Sequence, residues 1–112
     1  MAVTSVAAGN LLATGSQQDI LAANTTAGVF VVIVDTNPMV AGDIMELRIF
    51  NKVNNNTERL AYYAVYAHVQ AQPIKFSVPV PSFGTATDTI RVSLVQTAGT
   101  FRTFPYRVVT VG

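Results

Sequence analysis

Hydrophobic and polar residues alternate most cleanly in "IMELRIFNKV", residues 44 to 53, where Met45, Leu47 and Ile49 fall on one side and Glu46, Arg48 and Phe50 on the other. Successive side chains of a strand point to opposite faces, so this period of two predicts a strand with one buried face and a charged one. The segment "ERLAYYAVYAHV", 58 to 69, departs from that pattern. Leu60, Tyr62, Ala64 and Tyr66 would share one face and Ala61, Tyr63, Val65 and Ala67 the other, so both faces are apolar. Between the two segments stands "NNNT", 54 to 57, and asparagine tolerates the left-handed backbone of a tight connection, which predicts an antiparallel hairpin.

Other apolar segments are short, rich in Val, Ile, Thr, Tyr and Phe, and bounded by turn residues, the signature of strands. "AGVFVVIVDT" (27 to 36) reads as a buried strand ended by the loop "TNPMVAGD". "PIKFSVPV" (73 to 80) is followed by the loop "PSFGTATD" (81 to 88), and "TIRVSLVQT" (89 to 97) places Ile90, Val92 and Leu94 on one face. In the last strand, "FRTFPYRVVTV", Pro105 cannot donate a ladder hydrogen bond, which predicts an edge position or a bulge. "LLAT" and "QQDILAAN" read as two short strands around Gly15-Ser16, with a single helical turn as the alternative for "QQDILAA". Residues 1 to 10, small and weakly patterned, read as a flexible or partner-bound arm, and residues 11 to 112 as a single domain. The sum is an all-β fold, an antiparallel β-sandwich of about eight strands, jelly-roll-like.

Composition narrows the function. Of the 112 residues 50% are hydrophobic and 12% charged, against roughly 25% charged in ordinary soluble domains, so the surface is poor in charge. No apolar run approaches the roughly 18 residues of a membrane-spanning helix. "MAVTSVAAGN" has neither Lys nor Arg and no compact apolar segment, so no secretory signal is expected and the protein is expected to be made in a cytoplasm. The absence of Cys excludes disulfides and thiolate chemistry. A net charge of +1 with scattered basic residues predicts binding to neither nucleic acid nor membrane.

Groups suited to catalysis are few. His68 is the only histidine, and no nucleophile or orienting partner is evident for it. Asp35 and Asp43 read as turn residues; as a pair they match no known calcium loop. Neither "GxGxxG" nor "GxxxxGK" occurs. "FRTFPYR" interleaves aromatics and arginines as a base-stacking surface would, but without a basic groove it reads as an edge strand whose Arg102 and Arg107 pair with acids or lie along the surface. The expectation is a non-enzyme without cofactor or metal.

The second apolar face of the 58 to 69 strand then needs a cover. Contiguous apolar patches mark association surfaces, which predicts a homo-oligomer with Tyr62, Tyr63, Tyr66, His68, Phe50, Phe104 and Tyr106 at or near the interface, and a trimeric ring as its form. A carbohydrate platform is the competing expectation: Tyr62 and Tyr66 would stand about 13 Å apart on one strand face.

The runs "VVIVDTNPMVAGDIMELRIFNKV", "ERLAYYAVYAHVQAQPIKFSVPVPS" and "VSLVQTAGTFRTFPYRV" resemble small all-β virion structural proteins of tailed bacteriophages over residues 25 to 109. The resemblance rests on a "D-x-N-x-M" turn, a "GD-x-x-E-L-R" strand and a "Q-T-A-G-T" turn. It implies a capsid decoration or cement protein, oligomeric on the outer capsid surface and bound to the major capsid protein, with no active site to carry over. A receptor- or glycan-binding virion module is the alternative it leaves open.

Overall fold

A computed structural model describes residues 2–112. Nine strands follow one another: β1 (Val3–Leu12), β2 (Gln18–Asn24), β3 (Gly28–Asp35), β4 (Ile44–Asn51), β5 (Arg59–Ala67), β6 (Ile74–Phe76), β7 (Val80–Ser82), β8 (Ile90–Ala98) and β9 (Thr103–Val111). One sheet runs β1-β9-β3-β6, with β7 also paired to β3, and the other runs β2-β8-β4-β5. All pairs are antiparallel.

The order has a simple origin. β4 and β5 form the predicted hairpin, with Asn54 and Asn55 at positive φ in the turn. Outward from that turn the chain pairs as one long ribbon, β3 with β6 and β7, β2 with β8, β1 with β9. Rolling the ribbon adds the pairs β4·β8 and β3·β9 and closes two sheets over one interior, which is the jelly roll. The interior is apolar: Phe30, Val32 and Val34 from one sheet meet Met45, Leu47, Ile49, Ile90, Val92 and Leu94 from the other. Alternation in β4 and β8 thus places the predicted residues inward.

Three expectations are corrected. Residues 3–12 are not an arm but β1, paired with β9 from Val3↔Val111 to Leu12↔Thr103. Their small side chains hide the pattern, while the backbone supplies the ladder. "PIKFSVPV" is not one strand: Ile74–Phe76 forms β6, and Val80 opens β7, which continues through Ser82 into the predicted loop. Between them Ser77 substitutes for a ladder partner, its Oγ accepting the Val32 amide at 2.9 Å, and Pro79 and Pro81 offer no amide of their own. β9 lies inside its sheet, not at an edge. The ladder between β3 and β9 stops at Val34↔Tyr106, so the missing amide of Pro105 falls just beyond the last pair. Of the two readings of "QQDILAA", the strand holds and the helical turn does not.

Candidate functional site

Three surfaces hold the residues singled out in the sequence. The outer face of the β2-β8-β4-β5 sheet carries the apolar side of β5. Ile49 pairs with Tyr62 but Phe50 with Leu60, so a bulge at Ala61 turns Leu60 out of the Tyr62 row and onto this face. Charged side chains cover much of the apolar area. Arg91 lies 4.2 Å from the centroid of the Phe50 ring and Arg48 5.6 Å from that of Tyr63. Arg91 also donates to Glu58 and Asp19, each at 2.8 Å, and Arg48 pairs with Glu46. The carboxylates of Glu58 and Asp19 hold the Arg91 guanidinium protonated above its ordinary range, although burial opposes them. Tyr63 and Val65 remain about half exposed, at 47% and 48%.

Tyr62 and Tyr66 point the other way and pack half-buried against the core. They close the flank of the sandwich beside β6, where Lys75 Nζ stands 5.5 Å from the centroid of the Tyr66 ring. Burial, and then the neighbouring Tyr62, push the Tyr66 hydroxyl up to about 12. The two rings are therefore wall rather than open platform.

Phe104 does not belong to any surface: it is 1% exposed and lies in the core. Tyr106 packs beside Gly9, where a Cβ would come within 3.0 Å of its hydroxyl. His68 sits at positive φ, past the end of β5. Its Nδ1 accepts the Gly42 amide at 2.8 Å and its own amide donates to the Asp43 carbonyl at 2.8 Å. The histidine is a turn lock.

That lock belongs to a polar cluster at one end of the roll, where the "GD-x-x-E-L-R" and "Q-T-A-G-T" motifs meet. Asp43, buried, accepts from the Val40 amide at 3.0 Å and from Arg102 Nε at 2.8 Å. Gln96, buried at the end of β8, donates to the carbonyls of Ala98 and Thr100 and accepts the Arg102 amide at 2.9 Å. Burial would push the Asp43 carboxyl up, but the Val40 amide, Arg102 and the Thr100 amide outweigh it and hold the carboxyl below its ordinary value. Among the described residues no three His, Asp or Glu side chains come together as metal ligands. Asp35 and Asp43 serve as turn acceptors, the former for the Asn37 amide.

The third surface takes Asp35, Pro105 and Arg107 from the sequence analysis and adds Ile33 and Ile74 to them. On the outer face of the β1-β9-β3-β6 sheet, Ile33 pairs with Phe76, Asp35 with Ile74 and Val31 with Val109. Phe76 is 62% exposed and Ile74 47%. Where Pro105 ends the β3·β9 ladder the strands part, leaving a shallow depression of about 500 Å³ between Ile33, Ile74, Pro105 and Arg107. Arg107 and Asp35 are the charges bordering it. A second, more apolar cleft of about 470 Å³ lies at the 81 to 88 loop, lined by Val29, Asn51, Lys52, Phe83 and Asp88. Phe83 is 81% exposed there.

No protein-family model matches the chain, and no curated protein or solved structure is significantly similar to it.

Proposed function

We propose that this chain is a virion structural protein of a tailed bacteriophage: a decoration or cement protein made in the host cytoplasm, bound to the major capsid protein on the outer capsid surface, and oligomeric. The observation that carries the reading is the outer face of the β1-β9-β3-β6 sheet, where exposed Ile74 and Phe76 stand with partly buried Ile33 as an apolar ridge beside the Pro105 depression. On the outer face of the opposite sheet Leu60, Tyr63 and Val65 are also about half exposed, but Arg48 and Arg91 stand over the Tyr63 and Phe50 rings, whereas Phe76 here is 62% exposed. Burying each of these side chains contributes roughly 1.5 to 3 kcal/mol before entropic costs. Many copies on one shell convert modest contacts into firm attachment by avidity. The jelly roll is an architecture found among viral capsid and lectin domains, an analogy of fold rather than of site. Undecorated phage heads mixed with the purified protein are the test. Co-sedimentation together with a raised temperature of head rupture supports the reading, and heads that neither bind the protein nor gain stability overturn it.

A receptor- or glycan-binding module is the second reading, favoured by the cleft at the 81 to 88 loop. The exposed Phe83 ring offers a stacking face, and Asn51 Oδ1 is buried with no hydrogen-bond partner among the described residues. Lys52, Ser82 and Asp88, which line the same cleft, supply polar partners for sugar hydroxyls. Loss of glycan-array binding on Phe83→Ala supports it; absence of binding by the unmodified protein counts against it.

A further inference from the structure

We propose that β1 is a pairing edge for β1 of a second copy of this chain, giving a two-fold dimer with one sheet continuous through both copies. The inference rests on the oligomer part of the reading above and not on its capsid part. It begins with the backbone. The Ala13 amide donates to the Arg102 carbonyl at 2.9 Å. Bonded and non-bonded positions alternate in an antiparallel ladder, so Leu11, Gly9 and Ala7 turn their backbone groups to β9, and Leu12, Asn10 and Ala8 turn theirs to the open side. Among the described residues, the one partner these groups have on the open side is the Gln18 side-chain amide, which donates to the Leu12 carbonyl at 3.3 Å, and that oxygen retains a second lone pair.

Open edges are normally blunted by charge, proline or brevity. β6 and β7 are three residues each, with prolines beside and within β7. β2 carries Asp19 and two register breaks. β5 starts at Arg59, and Arg48 and Lys75 stand over its tyrosines, so a two-fold copy there would bring three cations toward their mates. β1 has ten residues with neither charge nor proline, and its one register break against β9, between Ser5 and Ala7, lies outside residues 8 to 12. Arg107 is the one charge in β9 behind it, and it donates to Ser5 Oγ at 2.8 Å.

The occupant follows from the same residues. An antiparallel strand paired with itself is two-fold symmetric and self-complementary. With Asn10 on the axis, Ala8 faces the copy's Leu12 and Gly9 faces its Leu11, small against large on both sides of the sheet. Asn10 meets its mate, and an amide side chain donates and accepts equally. About six backbone hydrogen bonds would close the seam.

The test uses the purified chain alone, so its outcome is separate from head binding. Sedimentation equilibrium is expected to show twice the 12.0 kDa chain mass, reverting to the single-chain mass in Asn10→Lys, whose substitution points two like charges at the axis. Because that variant could unfold, Asn10→Cys supplies a second measure. Paired Cα atoms lie about 5.5 Å apart, within disulfide reach, and the chain has no other cysteine, so mild oxidation is expected to give a covalent dimer. A monomer at the highest soluble concentration, a trimer, or a dimer that neither Asn10 substitution affects would overturn the proposal.

Discussion

The carboxylate of Asp43 lies 2.8 Å from Arg102 Nε, and this pair ties the loop that enters β4 to the turn that enters β9. The two residues are far apart in sequence and precede strands of opposite sheets, so the contact pins one end of the roll. Removing the buried carboxylate leaves the Val40 amide without its acceptor and the partly exposed Arg102 without its partner, and Asp43→Ala is expected to destabilise the fold by about 2 kcal/mol, measured as a lower urea midpoint.

Acid sensitivity follows from the same pair. The folded carboxyl of Asp43 titrates below its ordinary value of 3.8, so its contribution is complete above that pH and is lost as pH falls through the lower folded value. Stability of the parent protein should therefore fall as pH drops below 3.8, and Asp43→Asn should show a shallower fall over the same interval. Denaturation curves across that range check it.

Gly99 has φ +88, and a Cβ there would stand 2.0 Å from Asp43 Oδ1 and 2.8 Å from Asp43 Cα. Gly99→Ala combines backbone strain with displacement of the carboxylate and is expected to cost about 3 kcal/mol. Gly42, at φ +94, meets nothing within 4 Å, so Gly42→Ala should cost only the backbone term, about 1 kcal/mol. Equal thermal shifts in the two variants would refute the role assigned to the Asp43 contact.

Alkaline titration isolates the flank of the sandwich. Tyr66, raised to about 12 by burial and by Tyr62, favours folding while protonated; its contribution is present below the ordinary value of 10.0 and is lost as pH rises toward 12. Of the four tyrosines, one should ionise near pH 12 in tyrosinate absorbance, and Tyr66→Phe should remove that step. A parent protein without the late step would contradict the packing of this ring.

On the exposed ridge, Phe76→Asp should change stability by no more than about 0.5 kcal/mol, since its side chain is mostly in water, yet it should abolish co-sedimentation with phage heads. Binding unaffected by Phe76→Asp and Ile74→Lys together would exclude this face as the capsid contact.

Much of the fold is legible in the sequence because period-two alternation is a local property. Met45, Leu47 and Ile49 in β4, and Ile90, Val92 and Leu94 in β8, declare their buried face without reference to any neighbour, and the asparagines at 54 and 55 declare their turn. β1 escapes such reading: Ala, Gly, Ser and Thr carry little alternation, and their place in the sheet is decided by backbone pairing with a strand about a hundred residues away.

The candidate surfaces show the same division. Sequence alone determines that this is an antiparallel β-sandwich with little charge and a strand apolar on both sides, since composition and side-chain period are fixed by residue order. Tertiary structure decides which residues occupy each face. A one-residue bulge at Ala61 reverses Leu60, β9 turns Phe104 inward, and the positions of Arg48 and Arg91 determine that the Tyr63 and Phe50 rings are partly covered while Phe76 stays open. Register and sheet order arise from long-range pairing, whose partners no local pattern names.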